Sequence, residues 1–262
     1  MDTRITREDL DALRRARDLL DNPGLAARLT HALGSPIEQG LKYLPAGWHE
    51  RIGEATRLAL AKAADAALFT LGEQPGKSSS DRWHKLGVAV AGGVGGFFGL
   101  AGLAVELPVS TTLMMRSIAD IARSEGERLD DAGTRIACLE VFALGGSRSD
   151  DDAAEGGYYA ARALLARAVS QAAQYAGGSV ALEKAAPPAL ARLIALVAER
   201  FGVQITEKAA AQAVPALGAV GGAVINTLFI DHFQDMARGH FVVRRLERKY
   251  GREAVRQAYG GL

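Results

Sequence analysis

The chain has 262 residues, 48% hydrophobic and 23% charged, with 31 Lys and Arg against 30 Asp and Glu, one Cys and 30 Gly. That length and composition can bury a full core and exclude disorder and collagen, and a formal net charge of +1 gives no overall electrostatic footprint for nucleic acid. The lone Cys138 excludes an internal disulfide and fits a reducing compartment, so a cytoplasmic location is expected. Glycine is the outlying count, because the rest of the chain reads as alanine-rich helix.

Met1 to Leu20 is dense in Arg, Asp and Glu, the opposite of a charged start followed by an apolar stretch, so a secretory leader is not expected. Ile5, Leu10, Leu13, Ala16, Leu19 and Leu20 recur at helical spacing, with Thr6 as N-cap and Asp9 in the first turn. Asn22-Pro23-Gly24 stops this helix, and a second, Leu25 to Leu33, runs to Gly34-Ser35-Pro36. Residues 1–40 thus read as an N-terminal helical extension on a main helical domain over 41–262. In that domain Pro45-Ala46-Gly47 precedes an alanine-rich helix from Trp48 to Thr70. Gly72 to Ser80 is a linker by composition. It imitates a phosphate-binding loop, but only three residues separate Gly72 from Gly76-Lys77-Ser78, where the motif needs four, and a helix rather than a strand precedes it.

Leu86 to Val105 runs without a charge. As a helix, about twenty residues span roughly 30 Å, the thickness of a bilayer core. Its glycines contribute little transfer energy, but Gly92 with Gly96, and Gly95 with Gly99, form i,i+4 pairs. These make a groove where another helix or a lipid chain can lie against the backbone. The dinucleotide fingerprint fails here, because Gly93-x-Gly95 leads to Phe98 where the third glycine belongs.

Glu106-Leu107-Pro108 follows, then a predicted helix from Val109 to Glu125 closed by Gly126, with Arg116 and Asp120 at i,i+4 as an ion pair. Arg135 to Leu144 continues as helix and carries Cys138 as a buried structural thiol. Gly145 to Gly157 is a solvated acidic loop whose adjacent aspartates lack the offsets of a calcium loop. Helices are expected over Tyr158–Ala176 and Pro188–Gly202. Ala209 to Ile230 is a second charge-free run, with Gly218, Gly221 and Gly222, and an amphipathic helix follows from Asp231-His232 to Tyr250-Gly251. An offset of 125 lays Gly93 on Gly218, Glu106 on Asp231 and Gly126 on Gly251, the pattern of a degenerate duplication and equally of shared bias toward a few residue types.

The glycine-rich run ending in Glu106-Leu-Pro108 is the first part of a larger pattern. The helix Thr111-Thr-Leu-Met-Met-Arg116-Ser-Ile-Ala-Asp120 follows, then Val214-Pro-Ala-Leu-Gly-Ala-Val-Gly-Gly222 with Asn226, and Arg244-Arg-Leu-Glu-Arg-Lys-Tyr-Gly251. Together they resemble the EcsC protein family over about Ala46 to Gly251. That pattern more often has Asp before Leu-Pro, where this chain has Glu106. The resemblance implies a bacterial, cytoplasmic or membrane-associated helical protein, with no activity attached.

Chemistry has to be sought in the residues themselves. The histidines are scattered, and zinc-peptidase, nucleophile-elbow and paired-Cys motifs do not occur in the sequence. The one usable catalytic cluster is Asp231, His232 and Asp235 on one helix, joined by Glu106 if the duplication sets it opposite Asp231. The everyday alternative is that these groups cap and pair where buried helices meet water.

The expectation is an all-α, multi-helix bundle around two central glycine-rich apolar helices, without cofactor or metal. Its expected function is that of a non-enzymatic accessory protein at the cytoplasmic membrane face, peripheral or partly inserted, with membrane lipid or a membrane protein as partner and no nucleic acid. Gly92, Gly95, Gly96, Gly99, Pro108, Arg116, Gly218, Gly222 and Asn226 are its candidate binding residues. The rivals are a peptidase-like hydrolase centred on Glu106, Asp231 and His232, and a soluble bundle whose glycine runs are only core.

Overall fold

Local signals start the first helix of the computed structural model, which describes residues 5–21, 24–34, 40–70, 100–144, 157–176, 188–213 and 218–262. Thr6 is extended, and its hydroxyl accepts the Asp9 amide at 3.3 Å to open α1 (Arg7–Leu20), with Glu8 and Asp9 in the first turn where the helix dipole favours acids. After Gly24 comes α2 (Leu25–Leu33), closed by Gly34 in the left-handed conformation that favours glycine. The chain then forms α3 (Trp48–Thr70), α4 (Leu100–Ser124), α5 (Ala132–Leu144), α6 (Gly157–Ala176), α7 (Pro188–Ala213), α8 (Gly218–Tyr250) and α9 (Arg252–Gly260). Helix is the only regular structure among the described residues, so the fold is an all-α bundle as expected.

The axis is α8, whose 33 residues extend about 50 Å at 1.5 Å per residue. Against it pack α1, α2, α4, α5, α7 and α9, while α3 lies on α4 and α7, and α6 on α5 and α7. Residues 5–34 therefore share the core with the later helices: Leu13, Ala16, Leu20, Leu25 and Leu29 are all buried in it. Gly239 of α8 lets α1 come close, since a Cβ there would lie 2.6 Å from Leu20 Cγ and 2.9 Å from the Ala16 carbonyl oxygen. Where α5, α7 and α8 meet, Phe142, Phe201, Phe229 and Phe233 stack mostly edge to face, with centroids from 4.8 to 6.0 Å apart.

Side-chain pairs fix the helix directions. Gln234 donates to Ser117 Oγ and Arg244 to Glu127, both across a sequence separation of 117, so α4 and α8 run parallel. Phe201 touches Phe229 and Phe233, and Lys208, further along α7, lies over Phe229, so α7 runs antiparallel to both. The start of α4, the start of α8 and the end of α7 thus share one end of the bundle. Gly40 joins them there, because a Cβ on it would lie 2.1 Å from the Ala210 carbonyl oxygen.

Three boundaries differ from expectation. Helix α7 does not stop at Gly202 but runs on to Ala213. Helix α4 begins at Leu100 and runs through Pro108 rather than starting after it. The imino ring removes one backbone donor from the helix, and the Pro108 carbonyl also accepts the Thr112 hydroxyl at 2.8 Å. The charge-free run 209–230 is not one helix: Ala209–Ala213 completes α7 and Gly218 opens α8, with Pro215 in the sequence between them. Cys138 is the buried thiol the sequence led us to expect, and burial pushes its pKa up to about 12.

Candidate functional site: uncharged outer faces over one buried ion pair

At the shared end, helix periodicity sorts α4 into a buried and an outer side. Glu106, Leu107, Ser110, Thr111, Met114 and Met115 are buried, while Pro108, Val109 and Thr112 form the outer face, edged by Leu113, which packs partly on the core, until Arg116 brings the first charge on that face. Helix α8 repeats the arrangement. Ile225, Asn226, Phe229 and Ile230 are buried, while Ala223, Val224 and Thr227 lie on the outer side, edged by the partly buried Leu228, until Asp231. Val109 is 50% exposed and Val224 42% exposed. The threonines on these faces satisfy themselves within their own helices, Thr112 on the Pro108 carbonyl at 2.8 Å and Thr227 on the Ala223 carbonyl at 2.9 Å. Leu41 and Tyr43, beside Gly40, expose further apolar surface at this end, with the exposed Lys42 between them bringing one positive charge.

Within the end lies an ion pair. Lys208 Nζ is 2.5 Å from Glu106 Oε1, with the two side chains 0% and 2% exposed. Lys208 also sits 4.8 Å over the Phe229 ring, a cation–π contact that ties the pair to α8. Burial pulls the Lys208 pKa below its ordinary value, opposed by the charge of Glu106 and the hydrogen bond to it. Glu106 Oε2 has no partner among the described residues, nor does either amide atom of Gln204, one turn back on the same face of α7.

The catalytic candidates are dispersed. The separation of 117 sets Glu106 level with Ala223, and Asp231 level with Met114. Glu106 and Asp231 are thus eight residues apart in register, about 12 Å along the axis at 1.5 Å per residue. The duplication offset therefore does not describe how the two helices lie side by side, although Gly126 and Gly251, which it pairs, both follow a helix end with positive φ. Asp235 is held by Arg28 of α2 at 3.0 Å and by Arg238 at 3.1 Å, and His232 is buried against Phe233. Among the described residues, no group of three or more His, Cys, Asp or Glu is placed to hold a metal ion.

Of the binding candidates, Pro108 and Arg116 lie on the outer side of α4, Asn226 is buried on α8, and Gly218 and Gly222 are in its first turns. Gly92, Gly95, Gly96 and Gly99 lie outside the described residues, as do the Walker-like linker and the triple-aspartate segment. Asp120 pairs with Arg123 at 2.5 Å.

The sequence reading missed two polar centres at the opposite end. Glu127, just past α4, takes Arg244 at 2.9 Å, Arg248 and the Thr134 hydroxyl at 3.0 Å. Burial alone would raise its carboxyl pKa, but the hydrogen bond from Arg244 and the two guanidinium charges hold it below the ordinary value. In the second centre Arg162 makes a two-pronged pair with Glu247 at 2.8 and 3.1 Å and donates to the Tyr158 hydroxyl at 3.3 Å. Tyr158 in turn lies 3.0 Å from His240 Nδ1. Burial, reinforced by the charges of Arg162 and Arg244, holds the imidazole pKa well below its usual range. His240 is therefore neutral, and because the tyrosine accepts from Arg162 it donates to Nδ1, which places the ring proton on Nε2. These centres fasten α4, α6 and α8 where the charges gather.

The fold and this distribution define a class: an all-helical bundle around one long helix, with its ionic contacts concentrated at one end and, at the other, outer faces of α4 and α8 that carry no charge. The chain belongs to the EcsC protein family, whose model matches residues 22–246. Comparison with curated proteins and with solved structures gives no match.

Proposed function

We propose that the protein is a non-enzymatic accessory or binding protein of the cytoplasmic membrane face, in which the uncharged outer faces at the start of α4 and α8 enter one leaflet and contact lipid or a membrane partner. The observation that carries it is the matched pair of outer faces, Pro108-Val109-Thr112 and Ala223-Val224-Thr227, which stop at a charged residue at nearly one level, Arg116 and Asp231. Leu100 to Arg116 measures about 24 Å and Gly218 to Asp231 about 20 Å at 1.5 Å per residue. That is deeper than the roughly 5–10 Å of a helix lying in the interface and short of the ~30 Å hydrocarbon core. No helix among the described residues is long and apolar enough to cross a membrane. Threonine hydroxyls turned onto their own helices suit a face that leaves water. In sequence, a glycine-rich run without charge precedes α4. The non-enzymatic part is supported by the occupation of the reactive groups: Asp235 is held by two arginines, and the Cys138 thiol and the neutral His240 are buried.

The test is flotation with phosphatidylcholine vesicles. The full chain is expected to float, and Val109→Asp/Val224→Asp, two changes at exposed positions, is expected to lose about tenfold or more of that binding with an unchanged circular dichroism spectrum. Wild-type protein that stays wholly in the aqueous fraction, or a double variant that floats like wild type, would overturn the proposal.

A further inference from the structure

The stretches 86–115 and 208–230 each contain a single charged residue, Glu106 and Lys208 respectively. These two residues lie on different helices and 102 positions apart in sequence, yet each is the other's partner, buried at 2.5 Å. Stability alone does not call for them, since apolar residues of similar volume commonly replace a buried ion pair without loss. Nor does either charge serve the surface, because neither side chain reaches solvent. What the pair does change is the charge buried between α4 and α7: separately, Glu106 and Lys208 would each leave an uncompensated ion there, and together they leave none. Helices α4 and α7 otherwise meet only briefly, so this contact is also a main tie between them, anchored on α8 through the Phe229 ring.

We propose that the Glu106–Lys208 pair is an internal neutralising lock, which cancels the single charge that each of the stretches 86–115 and 208–230 carries and holds α4 to α7 so that the apolar outer faces of α4 and α8 enter lipid with no unpaired ion beneath them. The lock rests on the membrane-facing role proposed above, and adds that the partner of this end is the hydrocarbon of the leaflet rather than its headgroup charge. Removing Lys208 leaves a carboxylate whose second oxygen already has no partner among the described residues. Removing Glu106 leaves an ammonium whose other contact is an aromatic face. Either ion can recover its solvation only if the end opens to water, which exposes polar groups on the surface that has to meet lipid.

Flotation of the full chain with phosphatidylcholine vesicles tests this in wild type, Glu106→Gln, Lys208→Met and the double variant Glu106→Gln/Lys208→Met, with circular dichroism on each. Each single variant is expected to lose about tenfold or more of its vesicle binding, and the double variant to recover to within about threefold of wild type. Single variants that bind like wild type overturn the lock and leave the membrane role standing, as does a folded double variant as weak as the worse single one. Wild type that does not float overturns both. If a single variant does not fold, the double variant decides: folded and floating supports the lock, folded and not floating overturns it.

Discussion

The same substitution, Gly→Ala, should change stability in opposite directions at two helix-interior positions, and the contrast tests the packing of α1 on the central helix. Alanine gains about 1 kcal/mol over glycine in a helix interior, wherever the new methyl has room. At Gly53, on α3, a Cβ would meet nothing within 4 Å, so Gly53→Ala should stabilise by about that amount. At Gly239 the methyl would lie 2.6 Å from Leu20 Cγ, 2.9 Å from the Ala16 carbonyl oxygen and 3.0 Å from Leu20 Cδ2. The leucine tip can turn away, but the Ala16 oxygen is backbone, so α1 itself must move. Overpacking of this kind costs about 1–3 kcal/mol, which cancels or exceeds the propensity gain. The two variants should therefore differ by about 1–3 kcal/mol. At about 2–4 °C per kcal/mol for a chain of this size, Gly53→Ala should melt several degrees above Gly239→Ala. Calorimetry or circular dichroism melts measure this directly. Gly239→Ala melting level with or above Gly53→Ala would refute the close approach of α1 to α8.

Three further outcomes follow from the buried groups. Burial pushes the Glu207 carboxyl up from 4.5 to about 7, opposed by a hydrogen bond from the Ala26 amide; folding takes up a proton between those values, so Glu207 should add stability as pH falls from above 7 toward 4.5. Urea unfolding of wild type against Glu207→Gln should show that the variant lacks this gain, and equal slopes with pH would contradict it. Cys138 should resist thiol reagents at pH 8 in the native protein and react fully in denaturant, since its pKa is pushed up to about 12; rapid native labelling would show that the core is open. Arg162→Met should cost about 3–5 kcal/mol by stranding Glu247, and pairing it with Glu247→Gln should restore part of that loss in a urea double-mutant cycle.

Features with a local cause were legible in the sequence. The Thr6 cap, the stop at Gly24, the α6 start beside Tyr158, the buried Cys138 and the closing glycines at 126 and 251 all follow from short-range chemistry and helical period. Pro108 and the run 209–230 misled for a related reason: a proline reads as a boundary, and an unbroken apolar composition reads as one element, yet α4 continues through the first and the second is shared by two helices. The site was half legible. Glu106 was conspicuous as the one charge beside a glycine-rich run, but its partner was not, because Glu207-Lys208 inside a long helix looks like any solvated pair and lies 102 residues away. The Arg162–Glu247 and Tyr158–His240 contacts were hidden in the same way, since they exist only once α6 docks on α8. Arg116 and Asp231 drew notice as an ion-pair member and a catalytic candidate. Their shared level along two parallel helices, where the outer faces turn from apolar to charged, becomes visible only with the helix directions known.

The most direct test of the central claim is a depth measurement with single labels in a Cys138→Ala background. A spin label at Val109→Cys, on the outer face of α4, is compared with one at Arg256→Cys, exposed on α9, which folds back along the C-terminal part of α8 at the opposite end. On addition of phosphatidylcholine vesicles, the label at 109 should lose access to a water-soluble relaxing agent and gain access to a lipid-soluble one, while the label at 256 stays in water. A label at 109 that remains as accessible to the aqueous agent as the one at 256, with vesicles in excess, would contradict insertion of this end.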